Sequence, residues 1–294
     1  MLNRAPIFVL GFQRGGTNIL VNLLSSHGDT QRLGAEIHEV FYGRHGRPVT
    51  AYLKRALAAP VFMASSPHVL WPYRYHDRAP LPRLAAHYAD AIFYANRWTR
   101  YRSEDRPEGA RGQRDRARAR LVAKGVNGVV FASSLLRAMY PDARFVALIR
   151  DGYALSESWI RRGWDAERSA TVYQAVCDRI AEDAARWPNY HVIRFEDLVR
   201  DPLRELSHVY SEVGLGSALP AHLKLQAKAS MDASGAHRLH FGSRDREIVW
   251  VPTERLREYL RADVNQDQVR RLTDAQREVI GRIAGRALLN FGYA

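Results

Sequence analysis

The chain opens on a short continuous apolar run, Ile7-Phe8-Val9-Leu10, that ends at Gly11. A run of this length bounded by glycine predicts a strand buried on both faces. The glycine-rich string Gly11-Phe12-Gln13-Arg14-Gly15-Gly16 follows. From Thr17 to about Ser26 the apolar residues Ile19, Leu20, Leu23 and Leu24 then recur at helical spacing. The chain therefore begins strand, glycine loop, helix.

The same patterns recur downstream. Residues 60–65 read as a second strand. Organisation returns at Lys124, beside another strand-like run. Ser133 to Met139 reads as a short helix, and Arg144 to Ile149 (RFVALI) as a buried strand ending in Arg150-Asp151-Gly152. Helical spacing follows at 153–162 and 170–187. Tyr190 to Phe195 reads as a strand, Pro202 as the first turn of a helix, and 273–290 as a C-terminal helix. Residues 216–252, rich in Ser, Gly, His and Arg, read as irregular. Strands alternating with helices predict an α/β fold, a P-loop-type parallel sheet flanked by helices, built as a single domain over residues 1–294.

One segment departs from this alternation. Between His68 and Tyr101 the aromatic residues Trp71, Tyr73, Tyr75, Tyr88, Phe93, Tyr94, Trp98 and Tyr101 crowd together. The highly charged stretch 100–120 that follows reads as a mobile loop leading into a helix. Together they predict an aromatic, basic lobe inserted at about 65–120.

Composition narrows the class. The formal net charge is +13 over 294 residues, and lysine occurs only at 54, 124, 224 and 228, so nearly all the basic residues are arginine. That bias fits a GC-rich bacterial coding sequence, and the charge favours an anionic partner. No stretch approaches ~20 consecutive apolar residues, and the N-terminus lacks the apolar region and cleavage site of a signal peptide. A single cysteine, Cys177, excludes an intramolecular disulfide framework and reads as a buried helix position. The expectation is a cytoplasmic protein.

The chemistry concentrates at the ends of predicted strands. Backbone N–H groups at a helix N-terminus bind anions, and glycines let the backbone approach closely. An ATP-binding P-loop reads G-x-x-x-x-G-K-[ST]; here the string is G-F-Q-R-G-G-T-N, without the lysine and with Arg14 placed earlier. At the end of the RFVALI strand, Arg150 and, eight residues on, Ser158 form a second candidate anion site.

Together these segments resemble the PAPS-dependent sulfotransferase family (PAPS is 3'-phosphoadenosine-5'-phosphosulfate). Arg14-Gly15-Gly16-Thr17-Asn18 is similar to its [KR]-S-G-T-T motif. Arg150-Asp151-Gly152 with Ser158 is similar to its R-D-[PG] motif and the Ser eight residues after the Arg. Arg194-Phe195-Glu196-Asp197-Leu198 through Asp201-Pro202 resembles R-[YF]-E-D-L…D-P, and Leu289 to Tyr293 its L-G-Y ending. The resemblance runs in order from about residue 6 to 215. It implies that Arg14, Gly15, Gly16, Thr17 and Asn18 hold the 5'-phosphosulfate and that Arg150 and Ser158 hold the 3'-phosphate. PAP would be the co-product and no metal would be needed. Gly15 and Asn18 depart from the family's Ser and second Thr. The loop over the adenosine would lie within 224–250, with Arg238 and Arg244 as candidates.

The resemblance also bears on the base. Where many cytosolic members carry a His two residues after a Lys-Thr pair, this chain has Lys124-Gly125-Val126. L-S-S-H-G-D-T-Q-R-L-G-A-E instead resembles the branch that includes tyrosylprotein sulfotransferases and several carbohydrate or bacterial enzymes, with one residue inserted. It implies Glu36 as general base, with His38 and Glu39 as competitors and Lys124 beside the leaving group. The acceptor would be a hydroxyl on a sugar, phenol or natural product. Two alternatives stand beside this reading: a P-loop small-molecule kinase, and a basic protein that binds nucleic acid through the Arg run at 111–120.

Overall fold

The structure is a computed structural model describing residues 1–34, 36–38, 83–99, 119–231, 237–241 and 245–293. Five strands form a wholly parallel sheet: β1 (Ile7–Gly11), β2 (Thr30–Arg32), β3 (Arg120–Val126), β4 (Arg144–Ile149) and β5 (Tyr190–Arg194), in the spatial order β2-β3-β1-β4-β5. The apolar runs make this possible. Alternate residues of β1 point to opposite faces, Phe8 and Leu10 into one core and Ile7 and Val9 into the other, and all four are fully buried.

Helices cover both faces. On one side lie α1 (Thr17–Leu24) and, further along the chain, the Pro202–Glu212 helix; Tyr210 of the latter donates its hydroxyl to the Leu23 carbonyl of α1 at 2.7 Å. Before β3 the chain contains α2 (Arg83–Thr99), whose Phe93 packs edge-on against Phe8. On that second face lie α3 (Ser133–Met139), α4 (Gly152–Ile160), α5 (Ala166–Arg186) and the C-terminal helix. Cys177 is buried in α5, where desolvation pushes its thiol well above the ordinary range. After β5 come α6 (Phe195–Arg200) and α7 (Pro202–Glu212), which has proline in its first turn. The chain ends in α8 (Leu256–Tyr259), α9 (Val264–Arg270) and α10 (Asp274–Asn290), α10 being started by a Thr273–Gln276 capping box.

Two expectations need correction. Residues 216–252 are not irregular. They contain a second, antiparallel sheet with order β7-β6-β8: β6 (His222–Met231), β7 (His237–His240) and β8 (Glu247–Pro252). The buried residues Leu223, Leu225 and Ala227 alternate with the polar residues Lys224, Gln226 and Lys228, a period of two in residue type that the Ser- and Arg-rich flanks obscure, although Lys224 is itself buried. The charged stretch also does not lead into a helix at 120. Arg120 begins β3, and its guanidinium donates to the Ala5 and Val213 carbonyls at 2.8 and 2.6 Å. The strand expected at 60–65 lies outside the described residues, as does the inserted lobe apart from α2.

Because all five strands of the main sheet run the same way, their carboxyl ends share one edge. Gly11, Arg32, Val126, Ile149 and Arg194 end there, so the segments after each strand converge. The chain reaches the segment holding Glu36 by crossing from β1 through α1 and returning along β2, which lies beside β3.

Candidate functional site

The glycine loop turns tightly at this edge. Gly15 N–H donates to the Phe12 carbonyl at 3.0 Å, and the backbone of Arg14 takes a left-handed φ of 71°. A positive φ on a residue bearing a side chain is costly, and such residues persist where the surroundings over-determine them. Two contacts hold the loop from outside at Gln13. Gln13 N–H donates to Asn127 Oδ1 at 2.9 Å, and Trp159 Nε1–H donates to the Gln13 carbonyl at 3.1 Å. Gly16 is the N-cap of α1 with φ 89°, and no side chain caps the helix. Gly16, Thr17 and Asn18 line the cleft, so the N-terminus of α1, an end that favours anions, opens onto it. Gly15 lies behind the loop, where a Cβ would press on Phe12 Cβ at 3.0 Å, and it is not among the residues lining the cleft.

The cleft is a cavity of about 960 Å³. It gathers Arg14, Gly16, Thr17, Asn18, Glu36, Lys124, Arg150 and Ser158, the residues expected at the phosphosulfate, the 3'-phosphate, the base and the leaving group, with the exception of Gly15. Its described lining carries seven Lys and Arg side chains, His240 and one carboxylate, that of Glu36. Arginines therefore crowd one another. Burial lowers the Arg14 guanidinium below its ordinary range, and repulsion from Arg162, Arg246 and Arg161 adds to this.

Lys124 sits on β3, directly beside Val9 of β1. Its ammonium lies 2.5 Å from Glu36 Oε1 and donates to Asn18 Oδ1 at 2.7 Å. One buried cation thus joins the carboxylate to the glycine loop. Burial pulls the Lys124 ammonium below its ordinary range, and the Glu36 charge and hydrogen bond pull back. His38 Nδ1 stands 3.6 Å from the other Glu36 oxygen and does not line the cleft. Glu39 lies outside the described residues.

Arg150 is buried at the end of β4. Its guanidinium donates to the Arg14 carbonyl at 2.6 Å, to Asn265 Oδ1 at 2.9 and 2.7 Å, and to Gln268 Oε1, and it stacks 4.7 Å from the centre of the Phe195 ring. Desolvation brings it down to about 10. Four of its five N–H groups are used by neutral acceptors, so one N–H and the charge remain. Ser158 Oγ accepts from Arg162 at 3.1 Å, leaving its own O–H as a donor.

Several residues of the cleft were not singled out from sequence. Gln226, Lys228 and Ser230 come from β6; Arg246, Arg161 and Arg261 add charge. The alternation in 222–228 was the available signal for the first of these. Of the two residues expected over the adenosine, Arg238 pairs with Ser230 through its backbone, whereas Arg244 lies outside the described residues.

A sequence profile described as "Sulfotransferase family" matches residues 6–218, well over half the chain. Among solved structures, the chain is similar to the sulfotransferase domain from the Synechococcus PCC 7002 olefin synthase, at 17% identity and TM-score 0.52, covering 99% of this chain and 96% of that one. It is also similar to the sulfotransferase domain from the curacin biosynthetic pathway, at 14% identity and TM-score 0.47, covering 99% of each chain. A third is a sulfotransferase from Mycobacterium tuberculosis H37Rv, at 17% identity and TM-score 0.41, covering 92% of this chain and 77% of that one. At these identities the likeness concerns the fold, and the first of the three carries it. A search of curated proteins found no match. Among the described residues, no helix is long and apolar enough to cross a membrane.

Proposed function

The chain belongs to the sulfotransferase family, and from that premise we propose that it transfers a sulfuryl group from PAPS to a hydroxyl acceptor, a sugar, phenol or natural product, releasing PAP. The single observation that carries this reading is the contact of Lys124 with both Glu36 and Asn18, which joins a base to an anion loop in one cationic cleft.

The residues present fit such a donor. The uncapped N-terminus of α1 and the backbone at Gly16 suit a phosphosulfate, and the excess of six positive charges in the described lining suits a nucleotide bearing two phosphorylated positions. Arg14, Gly16, Thr17 and Asn18 would hold the phosphosulfate end. Arg150, through its remaining N–H and its charge, and Ser158, through its hydroxyl, would hold the 3'-phosphate. Bound there, the donor supplies an activated sulfur–oxygen bond whose leaving group is a phosphate.

The protein's own contribution is positioning, charge and a proton acceptor, as in phosphoryl transfer. Glu36 takes the proton of the acceptor hydroxyl as its oxygen bonds to sulfur and the bond from sulfur to the bridging oxygen breaks. Lys124 steadies the charge that builds on that bridging oxygen. Glu36 is favoured over His38 because it alone of the two lines the cleft and touches Lys124.

The test is incubation of the purified protein with ³⁵S-labelled PAPS and a panel of sugars, phenols and hydroxylated natural products. A labelled acceptor with stoichiometric PAP is the expected outcome. Isothermal titration against PAP, ATP–magnesium and duplex DNA separates the alternatives: tight binding of ATP–magnesium or DNA with none of PAP would overturn the proposal.

A further inference from the structure

Arg150 is held in an unusual way for a buried cation. Among the described residues, no carboxylate forms an ion pair with its guanidinium. Its side-chain partners are two neutral amides, Asn265 and Gln268, both on α9. Each amide is in turn anchored on a carboxylate. Asn265 Nδ2 donates to Glu196 Oε1, and Gln268 Nε2 donates to Glu157 Oε2 at 3.4 Å. The carboxylates are themselves fixed. Glu196 Oε1 accepts from the Asp151 backbone N–H at 3.0 Å and its Oε2 from the Tyr293 hydroxyl at 2.6 Å, while Glu157 Oε1 accepts from Arg271 at 2.7 Å.

The order of groups is dictated by donor and acceptor chemistry. A guanidinium only donates and an ionised carboxylate only accepts, so an amide between them has one orientation, carbonyl toward Arg150 and NH₂ toward Glu196. The carboxylate thereby orients the amide, and the amide orients the cation without neutralising it. A carboxylate in direct contact would form a bidentate pair and satisfy the charge that a phosphate is meant to find. The arrangement also accounts for two sequence features. The glutamate of Arg194-Phe195-Glu196-Asp197-Leu198 is the anchor, and the tyrosine of the C-terminal Leu289 to Tyr293 segment is what pins it.

We infer that Glu196, acting through Asn265, is a positioning residue for the phosphate-binding cation Arg150, and that Asn265 and Gln268 hold this cation while keeping it charged for its ligand. The inference rests on the proposed binding of PAP at Arg150.

The experiment has two readouts. The first is the Arg150 Nε–H resonance in the ¹⁵N-labelled protein without nucleotide, which in wild type should be slow to exchange because Asn265 accepts it. The second is PAP affinity by isothermal titration, with melting temperature measured in parallel. Asn265→Asp is nearly isosteric and puts a carboxylate on the guanidinium, while its other oxygen faces Glu196 in place of the Nδ2 donor. It should weaken PAP tenfold or more in the folded protein, with a lower melting temperature from the repulsion at Glu196. Glu196→Ala should speed exchange of the Arg150 Nε–H and weaken PAP, and Glu196→Gln, which keeps an oxygen for Asn265, should restore most of both. A purely structural role for Glu196 would lower the melting temperature and leave both readouts unchanged in the folded protein, overturning the inference. Wild-type PAP affinity in Asn265→Asp would overturn it as well, even if Glu196→Ala failed to fold. If the Arg150 resonance behaves as expected but wild type does not bind PAP, the orienting chain stands and the cofactor reading falls.

Discussion

The ring of Phe195 fills the space that a Cβ on Gly16 would need: its Cε2 lies 2.6 Å from that position. Phe195 begins α6 directly after β5, so the last strand of the sheet sets the clearance at the glycine loop. Gly16 also has a φ of 89°, which side-chain-bearing residues rarely adopt. Gly16→Ala should therefore displace the loop, costing about 1–3 kcal/mol in stability and most of the PAP affinity. Phe195→Leu in the same chain should recover part of the stability, because it removes the clash and leaves only the backbone strain. Thermal melts of the single and double variants check this, and equal melting temperatures for wild type and Gly16→Ala would refute it.

Glu36→Gln should abolish most sulfuryl transfer and leave PAP binding intact. Gln keeps the size of Glu but cannot accept a proton at neutral pH, and loss of a general base costs about 10²–10⁴-fold in rate. His38→Ala and Glu39→Gln are the matched controls. Single-turnover rates with labelled PAPS decide the matter: an active Glu36→Gln beside an inactive control would move the base to that control's position.

Lys124 should impose an alkaline limb on the rate. Burial is the largest influence on its ammonium and lowers it below the ordinary lysine value, Glu36 only partly opposing this. The cation is present at low pH and lost as pH rises through its lowered value, so kcat/KM should decline at a lower pH than an ordinary lysine would give. Lys124→Arg keeps its charge at high pH and should flatten that limb, at a reduced rate because the planar guanidinium cannot reproduce both contacts. A pH–rate profile for the two proteins tests this, and identical alkaline limbs would remove Lys124 from the charge-bearing role.

Arg14→Ala should separate binding from stability. Arg162, Arg246 and Arg161 all repel the Arg14 charge, so its removal should leave the ligand-free melting temperature unchanged or slightly higher. PAP affinity should fall tenfold or more, as a charge-assisted contact is worth about 1.5–3 kcal/mol. The stabilisation by PAP should shrink accordingly, since a ligand at 100 times its Kd adds about 2.7 kcal/mol. A lower melting temperature with unchanged PAP affinity would make Arg14 a structural residue.

The sequence by itself determined β1, β4 and β5 of the main sheet, because their signals are local, whereas the polar β2 (Thr30–Arg32) and the start of β3 were not legible. Continuous apolar runs such as Ile7–Leu10 and Phe145–Ile149 are buried on both faces, and a chain of them separated by helical spacing has little choice but a parallel sheet. The glycine loop, Arg150 and Ser158 were legible for the same reason, each lying just past such a run. The second sheet was not legible in that way. Its strands β6, β7 and β8 pair antiparallel, β7 within 6 to 12 residues of its partners in β6, but the alternation of Leu223, Leu225 and Ala227 with polar residues is short and set among Ser, His and Arg. Only the tertiary structure decided which cations meet in the cleft and which carboxylate meets Lys124, for Glu36 and Lys124 are 88 positions apart and are brought together by the β2–β3 pairing. It alone also decided that Arg150 is oriented through Asn265 from Glu196. Such a chain of hydrogen bonds joins three distant segments at the common edge of a parallel sheet, and a linear pattern of residue types carries no trace of it.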